Sequence, residues 1–100
     1  MDEIKLEGIV ESVEPRYDVN GKSSVISVIR TNEGDYTVHS IQKTNPENDL
    51  FVRDLSSSLN NASKNQYKIK VTVKPFTDTD YIAVSFFSII KEKYVLSKDI

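Results

Sequence analysis

The chain has 100 residues, 38% of them hydrophobic and 28% charged, which suits one globular domain and excludes disordered or low-complexity classes. With no cysteine, neither a disulfide framework nor a thiolate metal site can be built, and no apolar run approaches the ~20 residues of a membrane-crossing helix. Thirteen basic and fifteen acidic side chains leave a net charge of −2, which argues against a polycation that coats DNA.

The charge is unevenly placed. Residues 1–21 carry six acids and two bases, whereas 66–76 carry Lys68, Lys70 and Lys74 with no acid. The acidic, alternating start Met1-Asp2-Glu3-Ile4-Lys5 lacks the chemistry of a signal peptide, so a cytoplasmic location without membrane partners is expected.

In chain order, Ile4 and Leu6, then Ile9, Val10 and Val13, predict a long first strand. The apolar parity changes across Gly8, which predicts a bulge or sharp bend there and a strand long enough to serve two sheets. A loop over Glu14–Lys22 leads to strands at Val25–Ile29 and Tyr36–Val38, joined through Thr31-Asn32-Glu33-Gly34. That sequence suits a three-residue hairpin loop with a left-handed glycine, which sets Arg30 opposite Tyr36 on one surface. A two-residue loop would pair Arg30 with Asp35 instead.

Asn45-Pro46 reads as a helix N-cap and first helical residue, with Glu47 and Asp49 complementing the helix dipole. Phe51, Val52, Leu55, Leu59 and Ala62 form one apolar stripe, while Ser56-Ser57-Ser58 and Asn60-Asn61 should fray the helix end. From Gln66 to Phe76, Tyr67, Ile69, Val71 and Val73 alternate with the three lysines and Thr72, the pattern of a half-buried strand. Pro75 ends it, Thr77-Asp78-Thr79-Asp80 turns the chain, and Tyr81–Ile90 forms a last strand apolar on both sides.

Three strands, a helix and a closing hairpin predict a mainly β protein: a five-stranded OB-fold Greek-key barrel with one short α-helix between strands three and four. An open meander sheet covered by the helix is the competing architecture. The ligand face of such a barrel lies on strands two and three, bordered by the loops after strands one and four, here Glu14–Lys22 and Pro75–Asp80.

The stretch Gly8, Glu14-Pro15-Arg16-Tyr17, Gly21, Val25–Ile29 and Thr31-Asn32-Glu33 resembles the start of bacterial-type single-stranded-DNA-binding proteins, over about a third of the chain. The resemblance implies single-stranded DNA as partner, alongside a second copy of the chain or other replication proteins, and a role in replication, recombination or repair. The chain departs from that family in having no tryptophan, with Tyr36 at the comparable position on strand three. The family's acidic tail is also missing, since the sequence closes Leu96-Ser97-Lys98-Asp99-Ile100. A shortened, divergent relative from a phage or mobile element fits these departures.

Binding unpaired strands without sequence preference needs cations for phosphates and exposed rings for bases. The residues assigned to it are Arg16, Tyr17, Lys22, Arg30, Tyr36, Lys68, Lys70, Lys74 and Phe76, with Arg30 and Tyr36 as the leading pair. Catalysis is not expected. His39 is the only histidine, the three glycines are too scattered for a phosphate loop, and Asp78 and Asp80 lack the further ligands of a calcium loop, so no cofactor or metal is implied. A protein-interaction scaffold and an RNA-binding OB domain are the alternatives.

Overall fold

The structure is a computed structural model that describes residues 2–17, 22–43 and 49–96, with backbone alone for 22, 42, 43, 49 and 50. Its elements are β1 (Ile4–Tyr17), β2 (Lys22–Thr31), β3 (Gly34–Lys43), α1 (Asp49–Asn65), β4 (Tyr67–Pro75), β5 (Tyr81–Ala83) and β6 (Ser88–Lys93). The strands run β1-β2-β3-β5-β4 around the sheet, and β4 pairs back onto β1. The β3–β5 pairing is parallel and the others are antiparallel. This closed, mixed sheet, with its one helix between β3 and β4, is an OB-type barrel and not an open meander.

One strand serves both halves of the barrel because β1 changes partner midway. Ile4–Gly8 pair with β4, and Gly8–Tyr17 pair with β2, so Gly8 is shared. A Cβ on Gly8 would stand 2.0 Å from the carbonyl oxygen of Arg30, so the crossover has room only for glycine. The expected bulge itself lies three residues later, between Val10 and Ser12, where Glu11 is the extra residue. It restores the alternation so that both Val10 and Val13 pack against the core.

Leu6, Val10, Val25, Ile29, Val38, Ile69, Val71 and Val73 fill the barrel, and Val52, Leu59 and Ala62 of α1 close one end. The helix does not fray at its serines and asparagines. It continues to Asn65 because Val52, Leu59 and Ala62 on the same face are fully buried, and Asn65 Nδ2 donates to the Asn61 carbonyl at 2.9 Å. The expected cap at Asn45-Pro46 lies outside the described residues. Among the described residues, no helix is long and apolar enough to cross a membrane.

Two boundaries differ from the sequence reading. Glu14–Tyr17 belong to β1, because they pair with Ser23–Ile26. The predicted last strand is split. From Ala83 to Ser88 the chain advances five residues, while the opposite stretch of β4, Val73 to Lys70, advances three. The two extra residues preserve period-two parity, so Tyr81, Ala83, Phe87 and Ile89 still face the core, and the break leaves no mark in the apolar pattern.

Candidate functional site

The β2–β3 hairpin sets which side chains reach the barrel's outer surface. The Thr31 hydroxyl donates to the Gly34 carbonyl at 2.8 Å and accepts from the Glu33 N–H at 3.1 Å. That closes a two-residue loop, with Thr31 opposite Gly34 and Arg30 opposite Asp35; Gly34 does take a positive φ of 127°. A one-residue change of register moves every side chain of a strand to the other face. Tyr36 therefore pairs with buried Ile29 and turns inward, its ring 5.2 Å from that of Tyr81, so the expected Arg30–Tyr36 surface does not form.

The outer surface instead carries cross-strand rows. One runs from Glu14 through Ile26, His39 and Ile82 to Lys74; its neighbours run through Ser12, Val28 and Thr37 and through Arg16, Ser24 and Ile41. At the centre, His39 Nε2 lies 2.8 Å from the Asp80 carboxylate, and the His39 ring is 5.1 Å from that of Phe76. Phe76 is 46% exposed. The loop that presents it is internally bonded: the N–H groups of Phe76 and Thr77 donate to the Asp80 carbonyl at 3.0 and 3.1 Å, and the Asp80 N–H donates to the Thr77 hydroxyl at 2.9 Å. The hydrogen bonds from His39 and Thr79 hold the Asp80 carboxyl below its usual range, so Asp80 is the acceptor and Nε2–H the donor.

The other assigned residues scatter. Tyr17 is 60% exposed, but it shares the parity of Pro15 and faces the same side as buried Ser23 and Val25, away from Arg16. Lys68 and Lys70 do share an outer face, on the β1–β4 seam, where Lys68 Nζ is 2.7 Å and Lys70 Nζ 3.9 Å from Glu7. The Lys68 hydrogen bond lowers the Glu7 carboxyl below its usual range, and Glu7 in turn raises the Lys68 ammonium. Arg16 pairs with Glu14 at 3.2 Å, and Arg30 is held between Glu11 and Asp35. Among the described residues Lys74 has no ion pair. Lys22 opens β2 opposite Lys43, and its side chain lies outside the described ones.

Of the assigned residues whose side chains are described, only Phe76, Lys74, Arg16 and Arg30 thus meet on or beside one outer surface. Sequence reading missed its centre, His39, and its apolar floor of Ile26, Val28 and Ile82. A two-residue hairpin register would have revealed these, because it puts His39 and Ile26 on the face of Arg30. Phe86 and Phe87, which alternation along the last strand sets on opposite faces, do separate: Phe87 packs against the core and Phe86, not among the assigned residues, is 96% exposed. No family model matches the chain, and no curated protein matches it.

Proposed function

We propose that the protein binds single-stranded DNA, largely without reading sequence, on the outer face of β2, β3 and β5. The observation that carries this reading is the Phe76–His39 ring pair, set beside an apolar floor of Ile26, Val28 and Ile82, with Lys74 at one end, the Arg16–Glu14 pair at the other and the Asp80 carboxylate held by His39. Bases stack on such rings without regard to identity, because every base has a π-face. The hydrogen bonds within the loop favour the conformation that presents Phe76, which lowers the ordering cost of binding.

Phe76→Ala, an exposed substitution, should leave the fold intact and weaken binding of fluorescein-labelled oligo-dT by about 1–3 kcal/mol, read by anisotropy. Unchanged affinity in the folded variant would remove the stacking reading. Single-stranded RNA and duplex DNA run alongside separate unpaired DNA from the other nucleic acids. The carboxylates on Arg16 and Arg30 favour a second reading, a protein-interaction barrel, because paired guanidinium groups have less to offer a phosphate. Absence of binding to every nucleic acid would select it.

A further inference from the structure

A second outer surface combines a ring with cations in a different way. Between Ala83 and Ser88 the two-residue excess of chain forms a bulge, and Phe86 at its tip stands almost wholly in solvent. The bulge is stapled. The Ser85 hydroxyl accepts from the Thr72 N–H at 2.9 Å and donates to the Phe86 carbonyl at 3.1 Å, and the Val84 N–H donates to the Thr72 carbonyl at 2.9 Å. Beside the ring lies an open cleft of about 330 Å³ whose outward side chains include Lys5, Lys70, Thr72 and Glu7.

Electrostatics distinguishes this cleft from the β2–β3 face. There, the two arginines are matched by three carboxylates, Glu11, Glu14 and Asp35. Here, Lys5 and Lys70 face the single carboxylate of the cleft, Glu7, which Lys68 neutralises from beside it, and Lys5 has no ion pair among the described residues. Glu92 acts on Lys68 only through space, and Lys91 and Lys93 flank it in β6. The column Lys74, Thr72, Lys70 on β4 joins the cleft to the Phe76 loop, and four residues of strand span about 13 Å.

We propose that a single strand leaving Phe76 continues along this β4 column, with a base stacked on Phe86 and phosphates on Lys5 and Lys70. The site rests on the single-stranded-DNA reading and extends it to a second patch, which engages only strands long enough to reach it. One OB barrel occludes about 4–16 nucleotides, so oligo-dT of about 6 and about 16 nucleotides brackets the short and long cases. The variant is the double substitution Lys5→Ala with Phe86→Ala, both exposed positions.

The expected result is unchanged affinity for the short oligonucleotide and a loss of about tenfold or more for the long one. The salt dependence on the long one should become shallower by about 0.7 in log–log slope for the lost lysine. Wild-type affinity for both lengths would overturn the second patch alone, and the Phe76→Ala result would still decide the first. Equal loss on both lengths would overturn the extension, because Phe86 would then belong to the primary contact. A variant that binds DNA normally but loses concentration-dependent self-association would also overturn it, assigning Phe86 to protein contact. If wild-type protein binds neither oligonucleotide, both readings fall together.

Discussion

The hairpin register decides which face Tyr36 occupies. With the hairpin closed at Gly34, the ring that a three-residue loop would place on the surface packs on Tyr81 and pairs with Ile29, on the face of buried Val38. Tyr36→Ala should therefore act on stability, costing about 2–4 kcal/mol in urea unfolding, with oligo-dT affinity of the folded fraction unchanged. Phe76→Ala should show the opposite split. A Tyr36 variant that stays stable and loses binding would mean that the ring faces outward. The three-residue loop that Asn32-Glu33-Gly34 suggests is a reasonable local reading, since Gly34 does adopt positive φ. What the turn residues leave open is the register, which the long β2–β3 ladder settles by putting Val25, Ile29 and Val38 on one buried face.

Elements are joined at points where the backbone has no slack. Gly8 lets β1 pass from β4 to β2, with the carbonyl oxygen of Arg30 where a methyl group would stand. Since that neighbour is backbone held in the sheet, Gly8→Ala should destabilise the fold by about 1–3 kcal/mol or more, measured by thermal or denaturant melting. Wild-type stability would mean the two strands separate more easily at the crossover than the pairing implies. The amphipathic stripe of α1 and the alternation of β4 were legible because each depends on one periodicity within one segment. The break between β5 and β6 was not legible, because an insertion of two residues leaves a period of two intact. The helix's continuation past its serines reflects burial of Leu59 and Ala62, a tertiary effect that outweighs weak local propensity.

At the scale of the whole molecule, bonded carboxylates sit at both closures of the barrel: Glu7 in an ion pair with Lys68 at the β1–β4 seam, and Asp80 hydrogen-bonded to His39 beside the β3–β5 seam. Both carboxyls have folded pKa values below their usual range, so their stabilising contribution is complete above the unfolded carboxylate pKa and is lost as pH falls through the folded values. Lys68 has the opposite sign: its contribution holds below the unfolded lysine pKa and disappears only as pH rises through the folded one. Melting temperature should thus stay level from mildly acidic to mildly alkaline pH with respect to the Glu7–Lys68 pair and drop on the acid side. The double variant Glu7→Gln, Asp80→Asn should show a shallower acid limb; an identical limb would mean that other carboxylates govern it. By itself the sequence determined the order of elements, the composition of the core and the barrel class, because hydrophobic periodicity and turn residues are local signals. Only the tertiary structure decided that Tyr36 turns inward, that Phe86 stands out on a bulge and which cations keep their charge available, because a hairpin register, a parity-preserving bulge and carboxylates from neighbouring strands are set by the chains across the sheet.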